Sequence, residues 1–548
     1  MKKALSILTA CVLLAACTKT SEVATTSGGP AGAPAGSHNA STIPHTLRIG
    51  DTQDFDNLNP HLATSLLLGN LSSLTMAWLV RYDAHNEPTP ELATEVPTEA
   101  NGGIGKDGLT ITWHLRKGVK WSDGVPFDAD DVVFSTNAVN NPKNNEVGRD
   151  CWDLITKIDE PDKYTVVYHL KRPYSGYLPS FFGSAGANPC IIPKHILGNL
   201  PNINTAPYNS KPVGIGPFRY VEWARGDHIK LEANPYYWRG QPKIKTVIYK
   251  IIPDRNTLLT QMQTGEVDMW TFIPAAFVGR VTALPHVAHT RGPSYLYTHI
   301  DFNTSHPALA EKAVRAALRL ATDRRTILEK VSHGIGILQE SSITPASALH
   351  VALPEIPYDV TAANKLLDDA GWARGPDGIR AKNGVRLDLD VAAVSGNVDV
   401  DARIEQLRSD WQAIGVKVTP KHYNSALFFQ VTGGILYGGK WDVTTFAWQI
   451  TPDADLNPEN SCDLLPPNGQ NVTRLCDRRL EKYLQLQKLT YSVEARKPIV
   501  AEAAKLIDDD VPYEILYVNE DVHAFNSDLK NWHPNNTTPF DDFLNVDI

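Results

Sequence analysis

At 548 residues, with 42% hydrophobic and 21% charged residues, the chain is too long for a single hydrophobic core and has globular composition. Two or three lobes are expected, and neither a disordered chain nor a multi-span membrane protein fits. A formal charge of −9 argues against nucleic acid as the main partner, because phosphate binding needs a basic face.

Residues 1–16 read as a signal peptide. Lys2-Lys3 form its positive end, Ala4 to Leu14 its apolar stretch, and Leu14-Ala15-Ala16-Cys17 its cleavage site. The apolar stretch is too short to be a permanent span. Leu-Ala-Ala-Cys looks like a bacterial lipobox, which makes Cys17 the lipidated first residue of an exported, membrane-anchored protein in the periplasm or at the cell surface. Residues 17–43 are mostly Ser, Thr, Gly, Ala and Pro, and are expected to form a flexible tether. Of six cysteines, Cys11 leaves with the signal and Cys17 takes the lipid. Cys151, Cys190, Cys462 and Cys476 remain, an even number suited to an oxidising compartment. The local pairing, Cys151–Cys190 with Cys462–Cys476, is expected from the three possible ones. A metal site is the competing use, but no Cys-x-x-Cys or neighbouring His pair supports it.

Ordered structure is expected to begin with a strand at His45–Gly50, followed by a loop to Leu62 and a helix-rich segment over 63–80. Thr64 or Ser65 suits its N-cap. Pro88, Pro90 and Pro97 open an inserted lobe over 87–212. Within it, Leu109, Ile111, Trp113 and Leu115 alternate with polar residues as a strand. Ser122-Asp123-Gly124 then supplies a turn, and a helix starts near Asp128 with Asp130 and Asp131 in its first turn. A second strand covers Thr165–Leu170. The aromatic run Tyr177–Phe182 reads as core packing or as a pocket wall. Pro212–Phe218 is a glycine-containing turn without phosphate-loop spacing.

Strands follow at Tyr220–Trp223, Ile229–Leu231 and Thr246–Ile252, with a helix over Asn256–Gly265. A strand at Tyr295–Asn303 leads into a third lobe of alternating helices and strands. Its helical faces are Ala313, Ala317, Leu320 and Ala321; Ala362, Leu366, Leu367 and Ala370; and Ile404, Leu407, Trp411 and Ile414. Helices at 478–489 and 493–508 and a strand at 513–518 complete it. The first lobe is thus expected in three pieces, 44–86, 213–302 and 516–548, around the inserted lobe and a third lobe at 303–515. A chain that leaves a lobe and returns forms a hinge, which favours ligand capture by closure. Motifs for serine, zinc, dinucleotide or Ser-x-x-Lys chemistry are missing, so no enzyme and no cofactor are expected. His61, His299 and His306 are scattered candidates for binding a metal complex; no resident metal site is expected.

Leu109–Ser135 (LTITWHLRKGVKWSDGVPFDADDVVFS), the return turn Pro212–Phe218, Tyr236-Tyr237-Trp238 and Glu266-Val267-Asp268 together resemble the extracellular solute-binding proteins of ABC importers, specifically the dipeptide/oligopeptide-binding family. The resemblance implies an α/β fold of the periplasmic-binding-protein type II kind (cluster C), with two main lobes joined by a hinge plus an inserted lobe. It implies a monomer that passes peptides, or a solute such as a nickel complex, oligosaccharide or opine-like compound, to a membrane permease with its ATPase subunits. It places Ala63, Thr64 and Ser65 at the cleft and Asn303 near the hinge. It also lays Ala447, Trp448 and Gln449 along an extended ligand backbone, with closure between the first and third lobes and the inserted lobe as support. An Asp shortly after that Trp holds a peptide's amine in the family. Here Thr451 stands at that position, leaving Asp453 and Asp455 as candidates, with turn capping the alternative. Cys462 and Cys476 match a disulfide position of some dipeptide binders.

Overall fold

The computed structural model describes residues 39–62, 65–146, 149, 151–184 and 189–548. The expected signal peptide, Cys17, most of the tether, Ala63 and Thr64 lie outside these residues. Among the described residues, no helix is long and apolar enough to cross a membrane.

One ten-stranded mixed sheet runs through the molecule. Its middle is an antiparallel ribbon of two long strands, Val287–Phe302 and Tyr513–Asn526. To one side lie Met269–Trp270, Thr46–Asp51, Thr246–Ile251, His228–Ala233 and Phe218–Ala224; to the other lie Val443–Gln449, Asp388–Val394 and Lys417–Tyr423. The ribbon is therefore common to both halves. Its register breaks between Pro293 and Tyr297, where Pro293 faces Glu520 and Tyr297 faces Val518. Four steps on one strand meet two on the other, and proline contributes no N–H there. Side chains hold the partner strand around this gap: Gly336 N–H donates to Glu520 (2.8 Å) and Thr298 to Asn519 (2.9 Å).

The inserted segment carries its own three-stranded sheet of Thr110–His114, Thr165–Leu170 and Ile155–Asp162. The helix Ala129–Asn140 covers it. Asp128 and Asp131 form a reciprocal capping box at that helix's start. Asp131 does more than complement the helix dipole: it is buried and accepts from the Trp121 indole (3.1 Å) and the Lys194 N–H (2.9 Å). Segment and first lobe share one apolar core, which includes Trp78, Trp113, Trp121, Trp152 and Phe218. In the third lobe, parallel strands Asp388–Val394 and Lys417–Tyr423 flank the helix Val398–Gln412, whose Ile404, Leu407 and Trp411 are fully buried. The helix Lys312–Leu320 is turned from its expected face. Val314, Ala317 and Leu318 are buried, and Arg315 is buried as well, where it donates to the Val511 carbonyl (2.9 Å) just past the end of the helix Val493–Asp510.

The disulfide expectation holds for one pair and fails for the other. Cys462 and Cys476 are bonded, with Cα atoms 4.9 Å apart. No disulfide joins Cys151 and Cys190. Cys190 is buried in the shared core, whereas Cys151 sits in a left-handed turn (φ 69°) that presents it to a cavity beside Tyr174. The two side chains are committed to different surroundings.

A buried ion pair ties the first lobe to the inserted segment. His61 Nδ1 lies 2.6 Å from Glu146, and its Nε2 donates to the Cys190 carbonyl (2.8 Å). Burial disfavours a charged imidazole, yet Glu146 and that carbonyl outweigh it and hold His61 up to about 10 against an ordinary 6.5. A raised folded-state value means that the stabilisation is complete below pH 6.5 and is lost as pH climbs toward 10. His61→Gln should cost roughly 3–5 kcal/mol in urea unfolding at pH 6, because it removes the cation of a buried ion pair. The difference from wild type should shrink at pH 9–10.

Candidate ligand-binding cleft

The strand Val443–Gln449 pairs along its whole length with the first ribbon strand, from Phe302↔Val443 to Leu296↔Gln449. On its other side, Asp388–Val394 reaches only Val443 and Thr444. Among the described residues, one edge of the strand is thus unpaired from Thr445 to Gln449, a template for an added extended chain. Ala447 and Gln449 are exposed. Trp448 is half-buried, with its ring 5.2 Å from that of Phe446. Ile450 returns to the core, and the chain turns through Thr451–Asp455 with Ala454 left-handed (φ 52°).

That turn forms one wall of a cavity of about 490 Å³. Gln449, Thr451, Asp453, Asp455, Glu459 and Lys488 face it from the third lobe; Cys151, Arg172, Tyr174 and Ser180 face it from the inserted segment. The inserted segment therefore supplies a wall directly, where sequence reasoning gave it only a supporting part. The reason lies in the Tyr177–Phe182 run. Tyr177, Phe181 and Phe182 are core, as their size favours, while Pro179 and Ser180 between them reach the cavity. The same segment touches the third lobe at the cavity's rim. Ser175 donates through its N–H and hydroxyl to the carbonyls of Lys488 and Gln487 (both 2.9 Å) in the last turn of the helix Arg478–Leu489, where the Gln487 carbonyl also accepts from the Thr490 N–H (3.3 Å). The Tyr491 hydroxyl accepts from the Tyr174 N–H (3.0 Å) and donates to the Gly108 carbonyl (2.8 Å).

The acids of the cleft are not equivalent. Asp453 lies 3.7 Å from Arg496; burial pushes its carboxyl up and Arg496 opposes the shift. Asp455 accepts from the N–H (3.0 Å) and side-chain amide (2.7 Å) of Asn457, so one of its oxygens caps the turn while the residue still lines the cavity. Glu459 had no signal in the sequence beyond a short Asn-Pro-Glu-Asn stretch. Burial pushes it up to about 8, with Asp455 and Asp301 adding to the shift. Lys488 is pushed down by burial, against Asp455.

Other expected residues lie elsewhere. Ser65 is the N-cap of the helix Leu66–Thr75, makes no capping bond through its side chain, and is not among the described lining of the cavity. Asn303 is buried at the end of the first ribbon strand and donates to the Trp441 carbonyl (2.7 Å), which fastens the loop before the cleft strand. His61, His299 and His306 stand on separate elements. No three His, Cys, Asp or Glu among the described residues are grouped to hold a metal ion.

A cleft between α/β lobes, spanned by a two-stranded ribbon and bordered by an open strand edge, is the architecture of a ligand-capturing binding protein. Residues 87–463 match the family described as bacterial extracellular solute-binding proteins, family 5, and the chain belongs to that family. The chain is 28% identical over 440 residues to the oligopeptide-binding protein AppA of Bacillus subtilis, covering 78% of this chain and 79% of that one. It is 26% identical over 462 residues to di/tripeptide-binding protein 2 of Pseudomonas aeruginosa, covering 79% and 82%. Among solved structures, NikZ from Campylobacter jejuni in complex with Ni(L-His) superposes with a TM-score of 0.74 at 25% identity, over 91% of this chain and 98% of that one.

Asp453 and Arg496 should behave as a unit. Arg496→Met leaves a buried carboxyl without its cation and should cost roughly 3 kcal/mol in urea unfolding. Adding Asp453→Asn should recover part of that loss, so the double-mutant cycle should show clear coupling; additive effects would mean the pair is not an interacting one.

Proposed function

We propose that this protein is the substrate-binding lipoprotein of an ABC importer, which captures di- or oligopeptides by closure of its lobes and delivers them to a membrane permease. The observation that carries the reading is the open edge of Thr445–Gln449 running into the cavity. An extended peptide can pair there through its backbone, which gives affinity with little regard for sequence. The cavity of about 490 Å³ falls within the ~300–1,000 Å³ of small-ligand sites. The relatives named for oligopeptide and di/tripeptide binding support the same solute class. In this reading Ala447, Trp448 and Gln449 flank the ligand, Asp455 is the better candidate for its amine, and Asp453 is largely satisfied by Arg496. The register break at Pro293–Tyr297 is the hinge. Cys17 anchors the protein to the membrane outside the cytoplasm, and it acts as a monomer.

A non-peptide solute is the second reading. It is favoured by Thr451 standing where peptide binders carry the acid, and by the likeness to a protein solved with Ni(L-His). Native mass spectrometry of protein purified from its host separates the two: masses of short peptides support the first, and one uniform non-peptide mass overturns it.

Two substitutions test the cleft. Trp448→Ala should weaken ligand binding by ~1 kcal/mol or more in calorimetry, with little loss of fold. Unchanged affinity would remove Trp448 from the site. Tyr491→Phe keeps the ring beside Tyr177 but removes two bonds between the lobes. It should lower affinity about tenfold, equivalent to roughly 1–2 kcal/mol, and widen the particle in solution scattering.

A further inference from the structure

Two cations meet across the cleft. Arg172 of the inserted segment and Lys488 of the third-lobe helix Arg478–Leu489 both line the main cavity. Burial pushes Lys488 down and Arg172 adds to that shift, against Asp455, so the two positive charges act on each other. The rim contact brings them together: Ser175, close beyond Arg172 in the chain, donates its N–H to the Lys488 carbonyl. Arg172 is exposed and Lys488 is half-buried. Among the described residues, neither side chain makes an ion pair or a hydrogen bond.

The acids nearby do not cancel this charge. Asp453 faces Arg496 instead, at 3.7 Å. Glu459, pushed up to about 8 by burial with Asp455 and Asp301, is mostly neutral at pH 7. Asp455 acts on Lys488 through its field but already gives one oxygen to Asn457. Glu481, the other acid acting on Lys488, is held by the Cys462 N–H (2.8 Å), Ser461 and Gln485. In the described lining, one ionised acid thus stands against two cations at neutral pH. Like charges brought together with partial loss of water repel, and an anion between them turns that repulsion into attraction. The surplus is a single positive charge, which matches a carboxylate better than a dianionic phosphate. The guanidinium offers a fork of N–H donors to two oxygens, and the ammonium offers three more.

We infer that Arg172 and Lys488 form an anion subsite that takes a carboxylate of the ligand from both walls at once, so that the ligand's acid group helps to draw the cleft shut. The carboxylate is a chain terminus or an acidic side chain. A ligand that places its amine on Asp455 also removes the field that balances Lys488, so the two ends of a zwitterion reinforce each other. The peptide part of the inference rests on the proposed function; the subsite itself rests on the two cations.

Calorimetry with the full-length protein at pH 7 and low salt tests it. Trialanine is compared with trialanine amide, and Ala-Glu-Ala amide with Ala-Gln-Ala amide. In at least one pair the acid should bind about tenfold or more tightly than its neutral counterpart, and the pair that responds tells a terminus from a side chain. Arg172→Met and Lys488→Met should each bring that ratio toward one, whereas Arg172→Lys should keep part of it. The acid peptide should also narrow the particle in solution scattering more than its neutral counterpart does, and Arg172→Met should remove the difference. A crystal structure with the preferred peptide should place the carboxylate within hydrogen-bond distance of both side chains. Equal affinities in both pairs, a ratio unchanged by both Met variants, or a carboxylate bound elsewhere would overturn the inference and leave the peptide reading standing. Succinate is tested in parallel. If no peptide binds but succinate does, and Arg172→Met abolishes it, the subsite stands and the peptide reading falls. Succinate binding that survives both Met variants overturns the subsite, and if nothing binds, both fall.

Discussion

The ribbon of Val287–Phe302 and Tyr513–Asn526 sets what the rest of the molecule can do. Each strand runs from the first lobe's half of the sheet into the third lobe's half, so the lobes are joined by a hydrogen-bonded ribbon rather than by loose linkers. Such a joint resists shear and twist but can bend where its ladder is incomplete. The incomplete stretch lies between Pro293 and Tyr297, where the register shifts and one N–H is missing. Under the proposed closure, bending there would swing the cleft strand relative to the inserted segment. Among the described residues, the hydrogen bonds that oppose such opening lie at the far rim: Ser175 on the carbonyls of Gln487 and Lys488, and Tyr491 between Tyr174 and Gly108. A handful of hydrogen bonds with net worth of about 1 kcal/mol each can hold a closed form while leaving it open to modulation by a ligand.

The same ribbon explains what the sequence concealed. Local pattern shows Tyr295–Asn303 and Tyr513–Val518 as strands, about half of the lengths observed. Gly292-Pro293 and Asn519-Glu520-Asp521 read locally as breakers. They remain extended because each strand lies against the other on both sides of the break, a long-range pairing that no local window contains. By contrast, Thr165–Leu170 and Arg478–Leu489 were legible to the residue, and Gly265, Gly371 and Gly415 mark helix ends with φ of 72°, 83° and 80°. The helix Lys312–Leu320 shows the limit of periodicity. Its small residues do not outrank Val314 and Leu318, and a buried Arg315 is invisible to a pattern of apolar spacing.

The site was legible in part. Gln449, Thr451, Asp453 and Asp455 could be placed because one strand and its turn carry them, so their proximity follows from chain order. Arg172, Tyr174, Ser180 and Lys488 belong to elements distant in sequence that only the packing of the inserted segment against the third lobe brings together. The failed Cys151–Cys190 pairing has a similar origin. Parity and proximity in sequence favour the bond, but Cys190 is taken into a core that forms between two segments, and Cys151 is left at the cavity.

Which acid in the cleft is available to a cation follows from what each has already spent. Asp453 is the most deeply placed of the turn acids, yet Arg496 meets its charge, so a ligand ammonium there would have to compete with a buried guanidinium. Asp455 gives one oxygen to Asn457 and has Lys488 within its field, which leaves it half of its accepting capacity. Glu459 has no basic partner; burial, with Asp455 and Asp301, pushes it up to about 8, and hydrogen bonds from its own N–H and from Trp448 oppose the shift. With threonine at position 451, the acids beyond the cleft strand are Asp453, which faces Arg496, Asp455, which caps the turn, and Glu459, which lines the cavity without a basic partner. Backbone pairing along Thr445–Gln449 is indifferent to side chains, so discrimination between solutes has to come from groups of this last kind.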